Sequence, residues 1–334
     1  MTASFDFGRT LRRLRMRHLE LLALLGEERT VRGAARRMAL TQPALSKMLH
    51  EIEDCFAAPL FDRSRSGVLP TPAGAYLIAQ ATAWVNQLRN AGQDVEQLRD
   101  GAGASLRVGT LSVIPRVPRA IAALRRQDPK LVVRVREGTM VAMLAALAAG
   151  DIDCVVGALP PEALQAGPVE SIHVEPIADD ALCVMASPAH ALARARKLGW
   201  PDLAGQHWVL PPKESLLRRA FIEAHLLAGL PLPTPSVELM SPISVSELLL
   251  QDCSLLGVMR REQGEVEHAS GRLMRLPVSP QVPLPALAFI TLVHHGQLPA
   301  MLAAFRAALM EVGEMPTPVK RSRGKLSRPA PPPA

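Results

Sequence analysis

Gln42, Ser46, Lys47 and His50 bring an amide, a hydroxyl, an ammonium and an imidazole to the outward side of one predicted helix. Groups of this kind read base edges: a Gln amide pairs with adenine, and a Lys ammonium pairs with guanine or with phosphate. Leu45, Leu49, Ile52 and Phe56 recur at helical spacing, so the same stretch has an apolar side to bury. Thr41 is placed to cap the helix through its hydroxyl. Pro43 falls in the first turn, where a missing N–H costs little.

The elements that must position these groups flank them. A short helix capped by Thr30 lies upstream, with Ala34 and Ala35 small enough to let a second helix cross close by. Only Ala39 and Leu40 separate the two, the spacing of a helix-turn-helix whose second helix enters a major groove. Downstream, 59–63 reads as a strand, 64–67 as a turn and 68–70 as its return. This hairpin makes a wing from which Arg63 and Arg65 can reach phosphates. A first helix over 14–28 offers Leu14, Leu21, Leu22 and Leu25 for burial, with Arg15, Arg17 and His18 near its start as further phosphate candidates.

The run AARRMALTQPALSKMLHEIEDCFAAPLFDRSRSGVLPTPAG, residues 34–74, resembles the DNA-binding domain of the LysR-type transcriptional regulators. The resemblance implies an α/β protein with an α-rich N-terminal winged helix-turn-helix, a long linker helix and a two-subdomain, periplasmic-binding-protein-like regulatory domain. It implies DNA contacts from Arg32, Thr41, Gln42, Pro43, Ser46, Lys47, His50, Arg63 and Arg65. Its implied partners are double-stranded DNA, RNA polymerase, a small-molecule effector and further copies of the chain, as a dimer through the linker helix and as a tetramer. Two positions depart from the family pattern. Arg32 stands where a small hydroxyl residue is usual, and Ala57 stands where glycine usually closes the recognition helix with a left-handed residue.

Composition agrees with two or three domains in a chain of 334 residues, 48% hydrophobic but only 3% aromatic, so the cores rest on Ala, Leu and Val. The net charge of +7 is unevenly placed. Residues 1–66 hold 12 Lys/Arg against 8 Asp/Glu, and the Pro-rich tail 316–334 adds Lys320, Arg321, Arg323, Lys325 and Arg328 with no acid. Affinity for nucleic acid is thereby localised to the winged region, with help from a tail expected to be disordered. Cys55, Cys154, Cys183 and Cys253 form no CxxC pair and are expected as buried thiols of a cytoplasmic protein. No apolar run is long enough to span a membrane, and the N-terminus lacks a signal peptide's apolar core.

Thr71–Pro72 opens a long helix in which Leu77, Ala81, Trp84, Leu88, Ala91, Val95 and Leu98 follow alternating steps of four and three, a coiled-coil seam suited to pairing two copies. Residues 101–104, with two glycines, end it and read as a joint. Strands and helices then alternate, among them a helix over 116–127, a strand over 154–158 and a helix over 245–250, which predicts a parallel α/β sheet with helices on both faces. The domains read as 1–70 winged, 71–100 linker and 103–315 regulatory, the last divided into 103–175 with 285–315 and 176–284.

Ligands of such sheets gather beyond the carboxyl ends of the strands. That rule selects Thr110, Leu111 and Ser112, then Gly138 and Thr139, from the first subdomain, and Leu210, Pro211, Ser244 and Ser246 from the second. A helix start at Ser244 and Ser246 would favour an anionic or hydroxyl-bearing ligand, and Arg116 is near enough in sequence to add a positive charge. Met16–Leu19, Thr41–Ala44 and Leu248–Asp252 are similar to the galactose-binding-regulator-like subgroup, which implies a sugar or an organic acid as effector. No GxSxG, HExxH or Walker loop is present, no cofactor is expected, and adjacent His294 and His295 on a strand would face opposite ways. Asp151 and Asp153 read as a turn and a sheet-edge residue rather than a metal pair. Two other classes compete with a regulator: a solute-binding clamshell on an oligomerisation helix, and a doubly wound enzyme without a visible catalytic set.

Overall fold

A computed structural model of the chain describes residues 7–28, 30–64, 67–111, 114–160, 171–293 and 297–314. Leu14 and Arg15 break what the sequence reads as one helix into α1 (Phe7–Arg13) and α2 (Met16–Glu28). The cause is local. The Arg15 N–H donates to His18 Nδ1 at 3.2 Å, and the His18 N–H donates back to the Arg15 carbonyl at 2.9 Å, which closes a tight start for α2. Thr30 caps α3 (Val31–Arg37) as expected, its hydroxyl accepting from the Gly33 N–H at 3.1 Å. A turn through Ala39, left-handed at φ +54°, leads into α4 (Gln42–Phe56). Leu21, Leu22, Leu45, Ile52 and Leu60 are fully buried between these helices and form one core. Strands β1 (Phe61–Ser64) and β2 (Gly67–Pro70) pair antiparallel from Phe61↔Pro70 to Ser64↔Gly67.

Thr71 caps α5 (Pro72–Arg99): its hydroxyl accepts from the Gly74 N–H at 3.1 Å and donates to the Pro59 carbonyl at 2.9 Å. The first turn lies so close to the wing that a Cβ on Gly74 would sit 1.9 Å from the Leu60 carbonyl oxygen. Leu77 and Ala81 are buried in the winged core, so the first two seam positions are used within the chain. The expected joint after α5 is a bonded cap instead. Gly101 is left-handed at φ +79°, the Ala102 N–H reaches the Gln97 carbonyl at 2.9 Å, and the Gly103 N–H reaches the Lys130 carbonyl at 2.9 Å.

The chain divides into two compact units, the first built from Met1–Asp179 and Pro285–Met310, the second around Asp180–Leu284. After α5 come β3 (Ser105–Thr110), α6 (Arg116–Gln127), β4 (Val132–Glu137), α7 (Met140–Ala148), β5 (Cys154–Ala158) and β6 (Ile172–Ala186), which carries the chain across at Asp179–Asp180. The second unit holds β7 (Leu198–Gly199), β8 (His207–Leu210), α8 (Leu216–Leu227), β9 (Val237–Glu238), α9 (Pro242–Gln251), β10 (Leu255–Arg260), α10 (Arg261–Ala269), β11 (Met274–Arg275) and β12 (Val278–Ser279). Then β13 (Val282–Leu292) returns the chain, and α11 (Ala300–Glu314) ends the described residues.

The sheet is mixed rather than wholly parallel. In the first unit β3 pairs parallel with β4 and β5, but β13 runs antiparallel to β5. In the second, β10 is parallel to β8 and antiparallel to β6. The departures fall on β6 and β13, which cross between units instead of closing a strand–helix–strand repeat. Every residue of β5 is buried, and the second unit packs on Trp200, Trp208, Phe221 and His225, with Phe221 and His225 ring centroids 4.2 Å apart. Helix α10 has no side-chain cap from its own N-cap residue; its Arg261 N–H is capped at 3.0 Å by Asp180, eighty-one residues away. Cys55, Cys154 and Cys183 are buried, but Cys253 is exposed at the end of α9, against the expectation of four buried thiols.

Candidate nucleic-acid interface

Helix α4 divides its residues as the sequence predicts. Leu45, Leu49 and Ile52 are buried, Gln42, Lys47 and His50 are exposed, and Ser46 is half-buried at the boundary. Thr41 and Pro43 are exposed at the start. The Thr41 hydroxyl makes no cap bond, contrary to expectation. An N-cap oxygen normally takes the second or third N–H of the helix, and Pro43 removes one of those donors. The His50 ring nitrogen Nδ1 lies 2.7 Å from the Ser46 carbonyl, which directs the imidazole along the helix. Arg32 is exposed on α3. The backbone of Arg63 lies in β1 opposite Val68, while its side chain and the whole of Arg65 lie outside the described residues.

Several contacts fix α4 against its neighbours. Glu53 accepts from the N–H groups of Leu60 and Phe61 at 2.8 and 3.3 Å, which ties β1 to the helix. The Thr10 hydroxyl donates to the Cys55 carbonyl at 3.0 Å. His18, placed by the sequence among the phosphate candidates, is buried, and its Nε2 lies 3.4 Å from Glu51 on α4. Burial lowers its pKa below the ordinary 6.5, partly opposed by the Glu51 carboxylate. It therefore packs α2 on α4, whereas Arg15 and Arg17 stay exposed. Ala57 keeps the left-handed cap (φ +50°, ψ 36°) in which glycine is usual, at a cost of about 1 kcal/mol.

Helix α5 has two different sides. Trp84, Leu88, Val95 and Leu98 remain 41%, 58%, 57% and 60% exposed, so this part of the seam is uncovered within the chain. Asn86, Asn90, Asp94 and Gln97 lie on the roughly opposite side at steps of four, four and three. Asn86 donates to the Ala149 carbonyl and to Asp151, both at 2.8 Å, and Asn90 donates to the Gly150 carbonyl at 2.8 Å. Asp94 accepts from the Ser105 hydroxyl and the buried Arg107 guanidinium, each at 2.6 Å. Burial pushes the Asp94 pKa up, but those two donors outweigh it and hold the group below its usual range. Asp153 accepts from the Arg107 N–H at 2.7 Å, and burial raises its pKa. Sequence reasoning assigns this polar stripe no role, because polar positions on a helix ordinarily face water. Among the described residues, no group of His, Cys, Asp and Glu comes together to hold a metal ion.

The regulatory candidates are dispersed by their local contacts. Thr110 is buried, its hydroxyl donating toward the Val156 and Leu111 carbonyls at 3.1 Å, and Leu111 is half-buried against the α7–β5 core. Ser112 lies outside the described residues, as do His294 and His295. Gly138 and Thr139 are exposed, and the Thr139 hydroxyl caps α7 through the Ala142 N–H at 3.2 Å. Arg116 does not offer its charge to a ligand: it is buried, and its guanidinium donates to the carbonyls of Ile177 and Leu309 at 3.1 and 3.3 Å. Leu210 and Pro211 are buried at the end of β8. Helix α9 starts three residues before the predicted point, with Ser241 as its cap. Ser244 is therefore exposed in the first turn, and the fully buried Ser246 donates to the Pro242 carbonyl at 3.0 Å.

A winged helix-turn-helix joined by a long helix to an α/β domain defines a class of DNA-binding regulators. Residues 16–75 match the model of the bacterial regulatory helix-turn-helix protein, lysR family, and residues 99–314 match the LysR substrate binding domain. The chain belongs to the LysR family, whose members are transcriptional regulators and not enzymes. The HTH-type transcriptional regulator GbpR of Azospirillum brasilense is 28% identical over 320 residues, 93% of this chain and 92% of that one. GbpR of Rhizobium radiobacter is 31% identical over 67% of this chain and 76% of its own, and GalR of Pseudomonas putida is 30% identical over 81% and 68%. These relatives support the galactose-binding-regulator-like subgroup. Full-length OxyR from Pseudomonas aeruginosa (TM-score 0.57, 21% identity, 89% of this chain and 97% of that one) and CbnR (TM-score 0.54, 17% identity, 89% and 99%) share the fold. No helix among the described residues is long and apolar enough to cross a membrane.

Proposed function

We propose that this regulator reads its operator through the outward face of α4 and answers a small-molecule effector held in its C-terminal domain. The observation that carries the first part is the division of α4, with Gln42, Lys47 and His50 exposed opposite a buried Leu45, Leu49 and Ile52. Gln42 and Lys47 supply base contacts and Ser46 and His50 flank them, while Thr41, Pro43 and Arg32 lie against the backbone with Arg63 and Arg65 on the wing. The uncapped start of α4 favours phosphate, because its first N–H groups carry the positive end of the helix dipole. Two copies pair through the exposed part of α5 and present two recognition helices to two half-sites, with a tetramer as the larger assembly. The protein works in the cytoplasm with RNA polymerase, and residues 1–70, 71–100 and 103–315 are its DNA-binding, linker and regulatory parts.

The effector is a sugar or an organic acid, in keeping with the subgroup; its candidate neighbours are Thr110, Leu111, Ser112, Gly138 and Thr139 in the first unit and, as a separate set, Leu210, Pro211 and Ser244 in the second. Fluorescence anisotropy on the DNA flanking the protein's own gene tests the recognition face. Gln42→Ala and Lys47→Ala should each weaken operator binding by roughly ten-fold or more, from about 1–3 kcal/mol per base contact, with the assembly unchanged. Wild-type operator affinity in both variants removes α4 as the reading element.

A further inference from the structure

Arg218 is a buried cation with an incomplete set of partners. It is 5% exposed; among the described residues its Nε has no hydrogen-bond partner and its Nη1 reaches the Pro211 carbonyl at a long 3.5 Å. No carboxylate among the described residues pairs with it. An arginine does not relieve such burial by losing its proton, and buried charges are ordinarily paired. Its place in the fold matters as much. Arg218 lies in the first turn of α8, a helix of 12 residues that begins just after β8 ends. Side chains in a helix lean toward its N-terminus, and the contact with Pro211 puts the guanidinium over the β8–α8 loop. In that first turn the Ser215 hydroxyl takes the Arg218 N–H at 3.1 Å and the Ser215 carbonyl takes the Arg219 N–H at 3.1 Å. The N–H groups of Leu216 and Leu217 precede any helical acceptor and point the same way.

We propose that Arg218 and the first turn of α8 bind the oxyanion of a small molecule, a carboxylate or a phosphate. A planar guanidinium donates two parallel bonds to either group, and the helix start adds N–H donors and a favourable dipole. The proposal deepens the effector reading: it rests on the C-terminal domain holding a ligand, and it makes that ligand an acid rather than a neutral sugar.

The test is thermal melting of the full-length protein at constant ionic strength in sodium chloride, with inorganic phosphate, gluconate or galactose added. Phosphate or gluconate should raise the wild-type midpoint by on the order of 3 °C near saturation, and galactose should not. Whichever of the two acids acts names the source of the oxyanion. Arg218→Met should abolish the rise and melt no lower than wild type in chloride alone, since it removes a charge that no described carboxylate pairs. Arg218→Lys, which keeps the charge but not the fork, should retain only part of the rise. An acid effect equal in wild type and Arg218→Met, or absent from both, overturns the proposal. So does an Arg218→Met protein that melts well below wild type in chloride, for it gives the side chain a structural duty. A response to galactose that is indifferent to residue 218 leaves the effector reading in place and removes the oxyanion from it.

Discussion

Asn86 and Asn90 should hold the second half of α5 to the β3–α7–β5 region, and removing them should release it. Asn86 loses two donated bonds of 2.8 Å on truncation and Asn90 loses one. A neutral hydrogen bond contributes about 1 kcal/mol net, so the double variant Asn86→Ala, Asn90→Ala forfeits about 3 kcal/mol locally. Asp151 is 41% exposed and recovers water when its partner goes, which draws the figure toward 2. The neighbouring Arg107–Asp94 pair joins a buried guanidinium to a carboxylate 37% exposed, and it stays intact in this variant. Hydrogen exchange read by mass spectrometry is the assay, because it reports each segment's own opening free energy. Peptides covering 83–99 should exchange about 30–150-fold faster, the factor that 2–3 kcal/mol gives, while peptides of α4 stay unchanged. Pairing through the opposite side of α5 can also protect these amides, so the comparison is repeated in a Leu88→Lys background. Unaltered protection of 83–99 in both backgrounds refutes the clamp.

Leu88→Lys with Val95→Lys puts two charges into the exposed seam, 58% and 57% open within the chain; where a partner helix covers them, the cost is several kcal/mol, and light scattering should show a smaller species. A persistent native mass moves the interface elsewhere. Burial lowers the pKa of His18, His190 and His225, so each protonates more readily in the unfolded chain. Their effect on stability is nil well above the ordinary 6.5 and becomes a loss as pH falls through it. The melting midpoint should therefore drop between pH 7.5 and 5.5, and His225→Phe should flatten the drop; a profile flat in wild type contradicts it. Ala57→Gly should stabilise the winged region by up to about 1 kcal/mol, less the entropy a glycine returns to the unfolded chain, seen as a higher urea midpoint. A lower midpoint shows that the φ +50° turn does not strain the alanine.

How far the sequence could be read depended on how local each signal was. The helix over Arg116–Gln127 and the strand Cys154–Ala158 have the predicted limits, because a helical apolar period and an unbroken apolar run carry their own boundaries. The inward and outward faces of α4 were equally legible, since period alone separates Leu45, Leu49 and Ile52 from Gln42 and Lys47. What failed was set by partners far along the chain. The break at Leu14–Arg15 depends on a His18 that is held by Glu51, thirty-three residues on. Helix α10 starts on a carboxylate from β6. Mixed pairing in the sheet follows from two crossing strands, and alternation of strand and helix cannot distinguish a crossing strand from an ordinary one.

Three buried arginines of the regulatory region show the same dependence on distant partners. Arg116, Arg107 and Arg218 are all buried, at 7%, 6% and 5% exposure, and nothing in their immediate neighbours separates them. Sequence position nominated Arg116 for a ligand because it follows a strand end. Its guanidinium instead closes on two carbonyls, one from β6 and one from α11, and so holds three elements of one unit together. Arg107 meets Asp94 and Asp153, and its charge is matched inside the fold. Among the described residues Arg218 has neither arrangement: it makes one long bond to a carbonyl and meets no carboxylate. A long flexible side chain reaches any of several acceptors, so which one it finds is a property of the packed structure rather than of the local sequence. Burial alone therefore does not mark a ligand-binding arginine; the informative quantity is the charge and hydrogen-bonding capacity left over once the fold has used what it needs.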